Sequence, residues 1–131
     1  MTVRGTGVKG FAKGRAFVVN DNGQRNPFED IPGGSILVAK SVSLSDSALI
    51  DFRNVKGIVT EEDDHDGQIH VLASGLGIPA IVGVGDFVRE IVSGDRLIIQ
   101  NLDVFVNPDL ETVNSFEQMR SEASDQLTLD M

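Results

Sequence analysis

The sequence predicts an α/β fold, in which short buried strands alternate with short helices. Two aliphatic runs rich in β-branched residues, Ser35–Ala39 and Val55–Thr60, indicate buried strands. Residues 67–76 then show a helical pattern, and Gly77 follows at the position where a left-handed residue commonly ends a helix. This alternation favours layered α/β packing over an all-β sandwich. A length of 131 residues suits one domain.

The chain before the first aliphatic run is predicted to contain strands followed by a long loop. Residues 8–20 carry short apolar runs that are interrupted by Gly10 and Gly14, which indicates strands with a bend or a bulge. Residues 20–34 are dense in turn-forming residues and are predicted to form a loop.

Short helices and further strands complete the predicted α/β layering. A helix between the two aliphatic strands can be capped by the side chain of Ser45 or Asp46. The residues predicted on its inner face are Ala48, Leu49 and Phe52. The later predicted elements are a strand at residues 79–84, a short helix at 87–92, and closing strands at 96–100 and 103–107.

The character of the chain changes after Pro108. This proline suits the first turn of a helix, and Asp109 and Glu111 suit the positive end of the helix dipole. Apolar residues then recur at spacings of three, at Leu110, Val113, Phe116 and Met119. We therefore expect a helix from about residue 109 to 124, packed on the body of the domain or on a partner and followed by a frayed tail.

Composition excludes several classes of function. The formal net charge is −9, so nucleic acid and anionic membranes would repel the chain. Cysteine is absent, which excludes disulfides, thiolate nucleophiles and cysteine metal ligands. Neither a signal peptide nor an apolar run of membrane-spanning length is present in this sequence. The expected location is the cytoplasm.

Several segments together carry a resemblance to a known family. They are GVKGFAKGRAFVV, PGGSILVAKSVSLSDSALIDF, GIVTEE, LASGLGIPAIVGVGD and GDRLIIQNLDVFVNP. In content and spacing they resemble the phosphohistidine, swivelling or mobile domain of phosphoenolpyruvate-utilising enzymes, including Enzyme I, pyruvate phosphate dikinase and phosphoenolpyruvate synthase. The resemblance covers about residues 5–110 and implies a three-layer β/β/α swivelling domain. It also implies a domain boundary, with the swivelling domain at residues 1–108 and a linker-like amphipathic helix and tail at 109–131.

The family's active loop has a Thr, a Gly-Gly pair and a Ser-His pair at fixed spacing, and this chain departs from it. An ungapped count from Thr60 puts Asp63 and Asp64 at the Gly-Gly positions. The same count puts Gly67 and Gln68 at the Ser-His positions, so that an amide replaces the phosphate-accepting imidazole. Two glycines would let the backbone approach a phosphate at the helix start. Here the loop reads EEDDHD, and its carboxylates would repel a phosphate and also suit an acidic helix cap.

The two histidines of the chain are the alternative phosphate acceptors. On a helical wheel His70 lies roughly 160° from Gln68, which predicts a different, solvated helix face. His65 lies in the loop, where neighbouring carboxylates favour the protonated imidazole, which is not nucleophilic. The acidic loop also offers Glu62, Asp64 and Asp66 as weak candidates for a divalent-cation site. Their spacing partly matches a calcium-binding loop, but Ala73 stands where a bidentate Glu is needed.

Three functions follow as expectations. The first is a catalytically incomplete mobile domain that acts as an accessory or regulatory module of a phosphotransferase. The second is an active phosphocarrier that accepts phosphate on His65 or His70, and the third is a carboxylate-rich cation-binding module. The resemblance implies no cofactor held by this domain itself, because magnesium belongs to the family's partner domains. It also implies a phosphotransferase-type protein partner, or the missing domains of a longer enzyme.

Overall fold

In the part of the chain that the structure describes, an eight-stranded mixed sheet with helices packed on it forms the framework. The computed structural model describes residues 1–19 and 27–129. The strands are β1 Thr2–Arg4, β2 Thr6–Val8, β3 Gly10–Val18, β4 Ser35–Ala39, β5 Val55–Thr60, β6 Ala80–Val82, β7 Arg96–Asn101 and β8 Asp103–Val106. The α-helices are α1 Leu44–Ser47, α2 Gln68–Leu76 and α3 Leu110–Leu129, and 3₁₀ turns lie at Phe52–Asn54 and Gly85–Glu90.

The strand order is β1-β8-β7-β3-β4-β5-β6-β2. Strands β3 to β6 run parallel to one another, and the remaining pairs are antiparallel. The connections from β4 to β5 and from β5 to β6 carry α1 and α2, as parallel neighbours require a crossover. The predicted α/β class is confirmed.

The sheet folds over on itself, because its two edge strands are consecutive in the chain. Only Gly5 separates β1 from β2, yet these strands lie at opposite ends of the strand order. A Cβ on Gly5 would lie 2.6 Å from the carbonyl oxygen of Val82, so only glycine fits where the edges meet. A Cβ on Gly57 in β5 would likewise lie 2.8 Å from Cδ1 of Ile99 in β7, three strands away in the order. The two halves of the sheet therefore form the predicted β/β layers.

Alternate residues of the central strands face two separate cores. In β4, Ile36 and Val38 point into the core between the two halves of the sheet, together with Val59. Leu37 and Ala39 point to the opposite face. There they pack with buried residues of the helical layer and its connections, which are Phe28, Ile31, Val42, Ile50, Ile69 and Ala73. This arrangement confirms the predicted β/β/α layering.

Helix α3 covers the outer face of β3 and β7. Phe116 is 0% exposed, and its ring centroid lies 6.1 Å from that of Phe11. Val113 and Met119 are half-buried, as the predicted apolar face requires, but Leu110 is 74% exposed. The prediction for Leu110 was wrong because this residue lies in the first turn, before the helix crosses the sheet. The helix also continues past the predicted end at 124 to Leu129, and residues 130–131 of the predicted tail lie outside the described residues.

Helix α1 begins earlier than predicted. Its cap is Ser43, whose side chain accepts the Asp46 N–H while the Asp46 carboxylate accepts the Ser43 N–H. This reciprocal capping box places Asp46 inside the helix, so neither Ser45 nor Asp46 is the cap. Ala48 and Leu49 are exposed rather than on the inner face, while Phe52 is half-buried. The apolar contacts of this segment come instead from Val42 and Ile50, which flank the helix.

The other differences from the predictions are shifts of element ends. The strand expected at residues 79–84 is limited to β6, and the helix expected at 87–92 is the 3₁₀ turn Gly85–Glu90. Of the loop predicted at 20–34, residues 20–26 lie outside the described residues, and 27–30 form turns. Strands β1 and β2 were not predicted. Within the described ranges, no helix has both the length and the apolar character needed to cross a membrane.

Candidate functional site

The acidic loop between β5 and α2 begins at a fully buried threonine. The Thr60 hydroxyl donates a hydrogen bond of 2.9 Å to the carbonyl oxygen of Glu62, and the Thr60 carbonyl accepts the Val84 N–H at 3.2 Å. The hydroxyl and the carbonyl of Thr60 therefore both hold the chain in its turn. This residue sets the direction of the loop that leads to the helix start.

The Asp64 carboxylate caps helix α2. One of its oxygens accepts the Ile69 N–H at 3.1 Å, and the other accepts the His70 N–H at 2.9 Å. The first backbone donors of a helix are the groups that hold anions in phosphate-binding loops. Here a carboxylate of the chain itself accepts from two of them. The acidic cap expected from the sequence is thus confirmed at Asp64.

Gly67 makes the reversal between loop and helix possible. It has φ 70° and ψ 12°, which is the left-handed conformation that glycine adopts without strain. Its N–H donates to the carbonyl oxygen of Asp64 at 3.2 Å, and its own carbonyl accepts the Val71 N–H. This local turn brings the side chain of Asp64 under the helix end.

The other carboxylates of the loop have separate surroundings. The Glu61 carboxylate accepts a hydrogen bond of 2.9 Å from Nε of Arg89, while that of Glu62 lies 3.9 Å from the Lys40 ammonium. Asp63 is exposed, and its carboxylate lies against the backbone of Gly83, where a Cβ would collide with it. The three consecutive carboxylates therefore point towards three different residues, which are Arg89, Lys40 and Gly83.

The candidate cation ligands Glu62, Asp64 and Asp66 do not converge. Among the residues with described positions, no group of three or more His, Cys, Asp or Glu side chains could hold a metal ion. The contacts above give the reason, because Asp64 is held by helix amides and Glu62 is drawn towards Lys40.

Gln68 and the two histidines lie on different sides of α2. Gln68 is half-buried and lines a small groove between α1 and α2, next to Ser43 and Leu72. His65 and His70 are exposed, and both line a cleft of about 370 Å³ on the other side. The predicted separation of His70 from Gln68 around the helix is therefore confirmed.

Strand β2 forms one wall of the histidine cleft. The cleft is lined by Thr6, Gly7, Val8, Asp63, Asp64, His65, Gly67, Ile69, His70, Ala80 and Val82. Strand β2 could not be recognised beforehand, because three residues are too few to show an alternating pattern. In the structure Gly7 has φ 124°, and an added Cβ would collide with the carbonyl oxygen of Ala80, so this position of the strand requires glycine. Two imidazoles and two carboxylates thus share one open cleft.

Replacing Asp64 with Ala is expected to lower the free energy of unfolding by about 1 kcal/mol, because two helix N–H groups lose their acceptor. Asp66 is exposed in the same loop and provides the matched control, for which Asp66→Ala should change stability by less than about 0.5 kcal/mol. Urea denaturation followed by circular dichroism measures both. Equal effects of the two substitutions would contradict the capping role of Asp64.

The folded-over sheet, with α2 starting beyond the carboxyl end of β5, defines a swivelling α/β domain. The chain belongs to the family of the PEP-utilising enzyme mobile domain, where PEP is phosphoenolpyruvate, and this family's model matches residues 31–101. The resemblance found in the sequence is thereby confirmed.

Relatives and solved structures agree with this assignment. A phosphoenolpyruvate-protein phosphotransferase of Haloferax volcanii is 32% identical over 95 residues, covering 71% of this chain and 17% of the relative. The enzyme of the same description from Haemophilus influenzae is 29% identical over 99 residues, covering 74% of this chain and 17% of the relative. A solution structure of Enzyme I superposes with a TM-score of 0.67 at 26% identity, covering 74% of this chain and 40% of that one. The chain thus spans about a sixth of the length of these curated relatives.

Proposed function

We propose that this chain is a mobile-domain module that does not carry a phosphoryl group at Gln68 and acts as an accessory or regulatory partner of a phosphotransferase. The observation that carries the proposal is the Asp64 carboxylate, which accepts the Ile69 and His70 N–H groups at the start of α2. A phosphoryl group at that place would have to displace a carboxylate and remain beside it.

The chemistry of position 68 supports the same conclusion. An imidazole has a nitrogen lone pair that can attack a phosphoryl group, whereas the Gln68 amide nitrogen has no comparable nucleophilicity. Gln68 also lines a groove separate from the histidine cleft. The likeness to phosphotransferases supports a role beside such an enzyme, with the phosphoenolpyruvate-binding and donor domains supplied by a partner or by a longer polypeptide.

A second candidate function is an active phosphocarrier that uses His65 or His70. It is favoured by one observation, namely that both imidazoles line the same cleft of about 370 Å³. It is opposed by the Asp63 and Asp64 carboxylates in that cleft, because they repel a phosphoryl donor.

Incubation with phosphoenolpyruvate and the phosphotransferase of the organism that encodes the chain separates the two functions. Intact mass measured at alkaline pH should show phosphorylated phosphotransferase and unmodified chain. A phosphoryl group on the chain that is lost in His65→Ala or His70→Ala would establish the phosphocarrier instead. The accessory role further predicts that excess chain changes the rate of enzyme phosphorylation. No binding and no rate change would refute that role.

A further inference from the structure

A cationic groove lies on the outer face of the sheet, away from the acidic loop. It runs between β3, β7 and the start of α3 and has a volume of about 350 Å³. Its lining consists of Lys13, Gly14, Arg15, Arg96, Leu97, Ile98, Pro108 and Val113. Three of the eleven basic residues of a chain with net charge −9 thus line one groove, and no carboxylate is among its described lining residues.

The register of the sheet places two of these cations directly opposite each other. Arg15 in β3 pairs with Arg96 in the antiparallel strand β7. Side chains of opposed residues lie on the same face with Cβ atoms about 5 Å apart, and like charges at such a pair destabilise a sheet. Lys13 is two residues from Arg15 and therefore lies on the same face. The fold concentrates positive charge here at a cost in stability.

The contacts in the structure neutralise only part of this charge. Lys13 forms an ion pair of 2.6 Å with Glu117, whereas Arg15 donates to the carbonyl oxygen of Gly94 at 2.9 Å. Within the described residues, neither Arg15 nor Arg96 forms an ion pair with a carboxylate.

The acidic residues next in sequence to Arg96 and Pro108 accept hydrogen bonds from backbone N–H groups. The Asp95 carboxylate accepts the Val92 N–H at 2.9 Å, and the Asp109 carboxylate accepts the Thr112 N–H at 2.8 Å. Two opposed guanidinium groups therefore face the groove without an anion supplied by the described chain.

We propose that this groove binds a small organic phosphate, with the phosphate between Arg15 and Arg96 and the apolar part against Pro108 and Val113. Guanidinium groups bind phosphate oxygens through paired, charge-assisted hydrogen bonds. The groove volume of about 350 Å³ is in the lower range of small-molecule sites. An apolar wall beside the cations selects an ester over the free ion.

Titration of the full chain by heteronuclear NMR tests this site with phenyl phosphate, inorganic phosphate and sodium chloride at matched ionic strength. Amide shifts around the groove should saturate with both phosphates and not with chloride. Phenyl phosphate should bind about fivefold more tightly than inorganic phosphate, because its ring buries apolar surface. Absence of saturation beyond the chloride control would overturn the proposal. Tighter binding of inorganic phosphate than of phenyl phosphate would also overturn it. So would about tenfold tighter binding of a hexaglutamate peptide, which would indicate that the groove binds an acidic protein.

Substitutions of the two arginines supply an independent readout. Arg15→Gln and Arg96→Gln should each weaken phenyl phosphate binding about tenfold, while Lys9→Gln, before the other end of β3, should leave it unchanged. Removing the opposed charge should also raise the melting temperature of the ligand-free Arg96→Gln chain by about 2 °C at low salt. A lower melting temperature of the Arg96→Gln chain would mean that Arg96 stabilises the fold. An equal loss of phenyl phosphate affinity in Lys9→Gln would mean that the arginine substitutions act only through the net charge of the chain. Either result would contradict the proposed phosphate site between Arg15 and Arg96.

Discussion

Phe116→Ala is expected to lower the free energy of unfolding by about 4 kcal/mol, the range found for large aromatic side chains removed from a core. Phe116 is 0% exposed and packs against the Phe11 ring, so that its loss leaves a cavity between α3 and the sheet. Chemical denaturation monitored by circular dichroism gives the change. Leu110→Ala in the same helix is the control and should cost less than about 0.5 kcal/mol, because that side chain is 74% exposed.

The size of the Phe116 effect decides how α3 relates to the rest of the chain. A cost near 4 kcal/mol in one cooperative transition would mean that the swivelling domain needs this helix to fold stably. A cost below about 1 kcal/mol would contradict that view. It would instead support the proposed boundary at residue 108, with 109–131 as a separate linker-like helix.

Residues that act through local chemistry could be predicted from the sequence. The aliphatic strands β4 and β5 were recognised because β-branched runs of that length fit buried parallel strands. The end of α2 was recognised from Gly77, which has φ 71° and whose N–H donates to the carbonyl of Ser74. Phe116 was placed on the packed face of α3 by its spacing from Val113 and Met119.

Features that depend on distant parts of the chain could not be predicted. The closing of the sheet depends on β1 and β2, and their pairing with β8 and β6 joins residues far apart in sequence. Arg4 ties that edge together by a bidentate contact with Asp103, and this hydrogen bonding holds the pKa of Asp103 below its usual range. Nothing in the sequence around Arg4 or Asp103 indicates that these two residues pair.

The candidate site also combines features that the local sequence predicts with features that depend on distant residues. An acidic cap before α2 followed from charge and position, but which carboxylate turns towards the helix depends on the left-handed turn at Gly67. That His65 and His70 share a cleft depends on β2, the edge strand beside β6, which forms one of its walls. The positions of Gln68 and His70 on opposite sides of α2 needed only helical geometry, whereas His65 lies in the loop before the helix.

Gln68→His alone is expected to leave the chain unphosphorylated in the presence of phosphoenolpyruvate and the phosphotransferase. The new imidazole would stand at the start of α2, but Asp64 would still accept the Ile69 and His70 N–H groups that a phosphate needs. Asp63 would still place a second negative charge in the approach to the loop. Intact mass at alkaline pH measures the outcome.

Adding Asp63→Gly and Asp64→Gly to Gln68→His is expected to produce a phosphorylated chain. Its phosphoryl group should be lost on acid treatment, because the phosphoramidate bond of phosphohistidine is acid-labile. The glycines remove both carboxylates and free the helix donors at a stability cost of about 1 kcal/mol, so circular dichroism must first show that the variant is folded. The chain with both glycines and Gln68 intact is the matched control and should stay unmodified. Equal phosphorylation of Gln68→His with the aspartates in place would show that the acidic loop is no barrier, and that the missing ring nitrogen alone prevents phosphorylation of this chain.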